Sequence, residues 1–178
     1  MVLLDTNVFV IDRFFRRDER YEVNRQLIAR LPRIEAGFCI FSLFELCGIS
    51  SFNLSPEELK RWSYHFDEVY GIEILEPRGL YTMLAADWFA RFSNRIFELF
   101  GRKMTWGDAV LLKTAEDYKV EAIITWNKKH FEGRTTIEIL TPEEYLRGGE
   151  GRVARGAGRP GFVCGAGGGA DPERDSGS

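Results

Sequence analysis

Short apolar runs recur along this chain at spacings that helical patterns fill. Val2 to Leu4, Gly37 to Phe41, Ile72 to Leu75, Ala122 to Thr125 and Thr136 to Leu140 are β-rich or apolar and too brief for helices. Between them, one helical pattern covers Tyr21 to Leu31 and another starts at Ser55-Pro56-Glu57-Glu58, with proline at the first helical position. A third runs from Gly79 to Phe100, where Leu80, Leu84, Trp88, Phe92, Ile96 and Phe100 recur every fourth residue and Tyr81, Ala85, Phe89 and Phe97 widen the stripe. Strands separated by helices pair in parallel and are covered on both faces. The expected fold is therefore α/β, a central, mostly parallel sheet of about five strands flanked by helices on both faces. A ligand in such a fold belongs at the carboxyl ends of the strands.

The pattern stops near Arg147, where Gly-Gly-Glu-Gly-Arg-Val-Ala-Arg-Gly-Ala-Gly-Arg-Pro-Gly begins. A stretch so poor in large apolar side chains cannot bury enough surface to offset its ordering entropy. The expected organisation is one folded domain over residues 1–146 and a Gly-rich, disordered tail over 147–178. A chain of 178 residues has room for one well-buried core and not for two ordinary domains.

Composition removes several function classes. Hydrophobic residues at 44% and charged residues at 29% suit a globular protein, and no apolar stretch reaches the roughly 20 residues that a membrane helix needs. Met1-Val2-Leu3-Leu4 runs straight into Asp5 without a basic leader, so the expected location is the cytoplasm, with no membrane partner. Cys39, Cys47 and Cys164 form neither a CxxC pair nor an even-numbered framework, which argues against zinc and disulfides. A net charge of −3 is not that of a general nucleic-acid binder. Local charge can differ, and Arg13, Arg16, Arg17, Lys128, Lys129 and His130 are the residues expected to meet a phosphate backbone.

The polar residues that carry chemistry sit at strand ends and helix starts. Asp5-Thr6-Asn7 follows the first apolar run, Glu45 lies in Phe-Ser-Leu-Phe-Glu-Leu-Cys-Gly, Asp108 in Thr-Trp-Gly-Asp-Ala-Val and Asn127 in Ile-Ile-Thr-Trp-Asn-Lys-Lys-His-Phe. Each has a plainer reading. Asp5 and Asn127 can cap helices, while Ser42 to Glu45 and Thr105 to Asp108 have capping-box spacing. Ser55 to Glu58 and Thr141 to Glu144 share that spacing and are read as caps only. Glu45 and Asp108 differ in having mostly apolar flanks, where a carboxylate is expected to be crowded and to need a neutralising cation or a raised pKa. Trp106 and Trp126 precede the candidate residues; packing beneath the site is the plainer reading for both, and stacking on an unpaired base the sharper one.

With these four segments in order, the chain resembles the PIN-domain nucleases, and VapC-type toxin ribonucleases in particular, over residues 1 to about 146. Leu-Leu-Asp5-Thr6-Asn7 is similar to the first acidic motif of that family, Ser-Leu-Phe-Glu45-Leu to the second, Gly107-Asp108-Ala109 to the third, and Thr125 to Phe131 to the closing motif. The resemblance implies an endoribonuclease that hydrolyses RNA phosphodiesters with Mg²⁺ or Mn²⁺. It also implies a homodimer, and in many members the toxin half of a toxin–antitoxin pair. It assigns Asp5, Glu45, Asp108 and Asn127 to catalysis, with Asp5 and Asp108 anchoring the ion and Glu45 and Asn127 holding its waters or a second ion. Asn127 stands where many relatives carry a fourth aspartate, so second-metal binding is an open point.

Two rivals bear on the reading. An aspartyl-phosphate enzyme needs a second nearby aspartate, which Asp5-Thr6-Asn7-Val8-Phe9 lacks. A catalytically inactive RNA-binding or assembly module would use the acids as caps and the aromatic helix around residues 79–100 as its working surface.

Overall fold

The computed structural model describes residues 1–148. Its centre is a five-stranded, wholly parallel sheet in the order β3-β2-β1-β4-β5. The strands are β1 (Val2–Leu4), β2 (Ala36–Cys39), β3 (Glu73–Leu75), β4 (Ala122–Ile124) and β5 (Glu138–Leu140). Each falls within a residue or two of an expected run. The second run was expected to reach Phe41, but Ile40 and Phe41 already belong to the following helix.

Around the sheet lie α1 (Thr6–Phe14), α2 (Tyr21–Arg30), α3 (Ile40–Ser50), α4 (Pro56–Tyr64), α5 (Phe66–Tyr70), α6 (Ala85–Gly101), α7 (Trp106–Tyr118) and α8 (Pro142–Gly148). Because successive strand residues point to opposite faces, each strand feeds two cores. Val2, Leu4, Phe38 and Ile124 join Phe9, Leu27 and Phe66 on one side, while Leu3, Cys39 and Ile123 join Phe92, Ile96 and Leu111 on the other. Phe9 packs its ring against Phe38, Phe66 and Tyr70 at centroid separations of 4.7, 4.9 and 4.8 Å. Gly37 leaves room for the neighbouring strand's side chain, since a Cβ there would lie 2.6 Å from Leu75 Cδ1.

The caps at Ser55 and Thr141 form as expected, each hydroxyl accepting from the amide three residues on and each Glu side chain accepting from the cap amide. The helix expected from Gly79 begins only at Ala85. Gly79 adopts φ +83, the amides of Thr82 and Met83 turn back to its carbonyl, and Leu84 is extended. A left-handed residue and a turn of this kind stop helix propagation despite apolar periodicity. The stripe itself divides: Phe92 and Ile96 are buried, whereas Phe89 and Phe97 are 63% and 70% exposed.

Helix α8 extends through Gly148, so Arg147 and Gly148, read from sequence with the tail, belong to the folded body. The remainder of the Gly-rich segment and Cys164 lie outside the described residues. Among the described residues no helix is long and apolar enough to cross a membrane.

Candidate active site

Strand β1 passes the chain to β2 on one side, while β4 lies on its other side. The carboxyl ends of β1 and β4 therefore flank the point where the sheet order reverses, which opens a crevice. Asp5 follows β1 and Thr125 follows β4. Asp5 occupies the N-cap of α1 with extended backbone (φ −88°, ψ 153°), yet its side chain caps nothing. Its Oδ2 accepts from Thr125 Oγ1 at 2.6 Å and from Asn7 Nδ2 at 2.5 Å. Asn7 Nδ2 also donates to Thr125 Oγ1 at 3.0 Å, and Asn7 Oδ1 accepts from the Trp126 amide at 3.2 Å. One aspartate is thus held by a closed set of bonds across two strand ends.

The other acids arrive on helices. Glu45, from α3, accepts at Oε2 from Thr6 Oγ1 at 2.7 Å. Asp108, from the first turn of α7, accepts at Oδ2 from Thr105 Oγ1 at 2.6 Å. Thr105 also caps α7 by accepting from the Asp108 amide at 3.3 Å, so capping and site roles coexist here. Gly107 lets α7 approach α3 closely, because a Cβ there would stand 3.2 Å from Glu45 Oε1. His130 Nδ1 lies 3.2 Å from the Asp108 carboxylate.

These groups act on one another. Burial pushes the Asp5 carboxyl from 3.8 up to about 6; the Thr125 bond opposes it, the Asp108 charge adds to it, the Thr6 amide opposes it and the Glu45 charge adds to it. Asp5 keeps some solvent contact, as fits the floor of a cleft with protein crowded around the carboxyl. Asp5, Glu45 and Asp108 therefore share one electrostatic environment. Among the described residues, however, no three acidic, histidine or cysteine side chains are close enough to form a ready-made ion cage. Separate hydroxyls hold each carboxylate, at Thr125, Thr6 and Thr105.

The PIN domain family model matches residues 2–133. The chain belongs to the PIN domain family. Three solved structures share this PIN fold. A chain of a toxin–antitoxin complex from Klebsiella pneumoniae is 19% identical with a TM-score of 0.53, the alignment covering 80% of this chain and 98% of that one. A chain of FitAB bound to an IR36 DNA fragment is 15% identical with a TM-score of 0.52, covering 80% and 95%. A chain of FitAcB from Neisseria gonorrhoeae is 16% identical with a TM-score of 0.54, covering 80% and 99%. No curated protein sequence matches the chain.

Within this PIN domain the residues singled out from sequence are sorted by tertiary position. Glu45 is exposed, not crowded as its apolar flanks suggested, because Phe44 beside it is also turned to solvent. Asn127 is exposed at the cleft mouth; its amide donates to Thr125 Oγ1 at 2.9 Å and its side chain makes no cap. Trp126 is a packing residue, its Nε1 donating to Asn24 Oδ1 at 2.9 Å and Arg20 lying over its ring. Trp106 is 51% exposed, with edge contacts to Phe41 and Phe92.

The expected basic rim is only partly assembled. Arg13, Arg16 and Arg17 line a separate pocket of about 570 Å³ at the far end of α1. Eight residues of helix at ~1.5 Å each put Arg13 about 12 Å along the axis from Asp5. Lys128 is already paired with Glu144 at 2.8 Å. Lys129 is exposed next to the site, and His130 touches Asp108 itself. Thr6 and Asn7, noted from sequence only as neighbours of Asp5, and Thr105 and Thr125, given no site role there, are the residues that hold the acids in place. Thr125 carried a usable signal, a hydroxyl at the end of an apolar strand.

Proposed function

We propose that this PIN domain is a divalent-metal-dependent endoribonuclease that hydrolyses RNA phosphodiesters in the cytoplasm, and that it is the toxin of a type II toxin–antitoxin pair. The observation that carries the nuclease reading is the gathering of Asp5, Asp108 and Glu45 in a crevice at the strand ends, where burial raises the Asp5 carboxyl to about 6 and the Asp108 and Glu45 charges add to that rise. Such a group favours a cation nearby over joint ionisation without one. The toxin assignment is supported by the likeness in fold to a chain from a toxin–antitoxin complex. An antitoxin protein is accordingly the proposed partner besides RNA.

The donor set fits Mg²⁺ or Mn²⁺: it is all hard oxygen, without cysteine, and Mg²⁺ is commonly held by one or two carboxylates and several waters. Asp5 and Asp108 would hold the ion, with Glu45 and Asn127 placed to receive its waters. Bound there, the cation supplies positive charge to a phosphoryl oxygen and makes a nearby water more acidic. The chain's own contribution is orientation. Thr125 and Asn7 aim the Asp5 carboxylate, Thr6 aims Glu45, and Thr105 with His130 aims Asp108. No side chain needs to act as a covalent nucleophile.

The decisive experiment is incubation of a mixed RNA pool with and without Mn²⁺, followed by end mapping, in parallel with Asp108→Asn. Cleavage that depends on both Mn²⁺ and Asp108 supports the reading; cleavage that survives either omission rejects it. The exposed Phe89 and Phe97 favour a second use of the surface. They support a homodimer, and also the alternative in which the domain is inactive and works through this aromatic face. Absence of both Mn²⁺-dependent cleavage and Mn²⁺-induced stabilisation would select the alternative.

A further inference from the structure

Two loops beside Asp108 are locked together by a pair of arginines. Arg102 Nη1 donates to the Arg134 carbonyl at 2.9 Å, and Arg134 Nε returns a bond to the Arg102 carbonyl at 3.0 Å. Arg134 Nη1 also donates to the carbonyls of Lys129 and His130. The loop so fastened is the one that sets His130 on Asp108. On the other loop, Lys103 leads within three residues to the exposed ring of Trp106.

Four cations are gathered there with little to balance them. Among the described residues Arg102, Lys103, Lys129 and Arg134 form no ion pair with a carboxylate. Glu132 is the acid of the intervening loop. Arg102, Lys103 and Lys129 are exposed, and a guanidinium with five N–H groups retains donors after satisfying one or two carbonyls. Lys103 stands just past the end of α6 at φ 58°, a left-handed conformation that glycine adopts more readily. Lys119 does the same after α7, so the backbone alone identifies no ligand. It does mean that loss of the Lys103 side chain need not harm the fold.

We propose that Arg102, Lys103, Lys129 and Arg134 form a phosphate track for single-stranded RNA, which stacks an unpaired base on Trp106 as it reaches Asp108. This rests on the nuclease reading above and says how that site receives its substrate. Cations supply the attraction to phosphate, and the open aromatic face selects an unpaired base, since a paired base in a duplex does not present its π-face. Trp126, packed against Asn24, cannot take that part.

The test uses the full chain carrying Asp5→Asn, so that binding is read without cleavage, and a labelled single-stranded oligouridylate titrated over a series of salt concentrations. Lys103→Gly is expected to melt at the same or a higher temperature while flattening the slope of log affinity against log salt by about 0.7, the contribution of one phosphate contact on a single strand. Trp106→Ala is expected to weaken binding about 5- to 100-fold, and to have no effect on an oligonucleotide that lacks the stacked base. An unchanged slope in Lys103→Gly, or equal weakening of both oligonucleotides by Trp106→Ala, overturns the proposal. So does a Trp106→Ala protein that loses a dimer and keeps its RNA affinity, which would make the ring a protein contact. A wild-type protein that binds as described and never cleaves would instead sink the nuclease reading alone.

Discussion

Replacing Asp5 by Asn should make the metal-free protein more stable at neutral pH while abolishing cleavage. The folded-state carboxyl titrates at about 6 against an ordinary 3.8, so the native protein binds a proton that the unfolded chain releases between these values. A folded pKa above the unfolded one means that stability falls as pH rises from about 4 to 6 and stays lowered above. At about 1.4 kcal/mol per pKa unit, the ceiling is ~3 kcal/mol at pH 7. Residual solvent contact at the cleft floor reduces the realised figure to ~1–3 kcal/mol. An Asn in that position can accept with Oδ1 the bonds now given by Thr125 and Asn7, and its amide donors face the charges of Asp108 and Glu45. For a domain of this size each kcal/mol is worth about 2–4 °C, so the expected rise in Tm is ~3–10 °C at pH 7. The assay is thermal melting of both proteins in chelator at pH 4 and pH 7, then with Mn²⁺. The gain should shrink to under ~1 kcal/mol at pH 4, just above the unfolded value of 3.8, and Mn²⁺ should raise the wild-type Tm and leave the variant's unchanged. A variant less stable than wild type at pH 7, or a difference that ignores pH, refutes the electrostatic argument.

Further outcomes follow from the same geometry. Thr125→Val removes a buried hydroxyl that holds Asp5, and is expected to cost ~1–3 kcal/mol by denaturant titration and to weaken Mn²⁺ binding by calorimetry. Gly107→Ala should lower the cleavage rate with a Tm change of only a few degrees, because the new Cβ would stand 3.2 Å from Glu45 Oε1 and displace that side chain. Phe9→Ala, in the fully buried aromatic cluster, should cost ~3–5 kcal/mol in urea unfolding, whatever the metal content.

The extent to which this molecule was legible beforehand differs between its parts. Strand positions and the α/β architecture follow from local sequence, because buried parallel strands must be short apolar runs and the segments between them must be helical enough to cross back. The same holds for the caps at Ser55 and Thr141, whose partners lie three residues away. The start of α6 was misplaced because apolar periodicity continues through Leu80 and Leu84, whereas backbone conformation at Gly79 breaks the helix. The placement of the basic residues was hidden for a related reason: sequence shows their charge, not their distance from the acids. Arg13 near the end of α1, and Arg16 and Arg17 in the turn after it, lie away from Asp5, while Arg102 and Arg134 meet across 32 residues.

Sequence by itself determined that Asp5 stands where a strand ends and Asp108 where a helix begins, since those positions are written in neighbouring residues, whereas Glu45, expected in a similar setting, lies in the middle of α3. Only the tertiary structure decided which hydroxyls hold them, that Glu45 faces solvent, and that Trp106 is open while Trp126 is packed. The bond from Thr125 to Asp5 joins residues 120 apart in the chain. Such contacts arise from the order of strands in the sheet, and local pattern contains no term for that order.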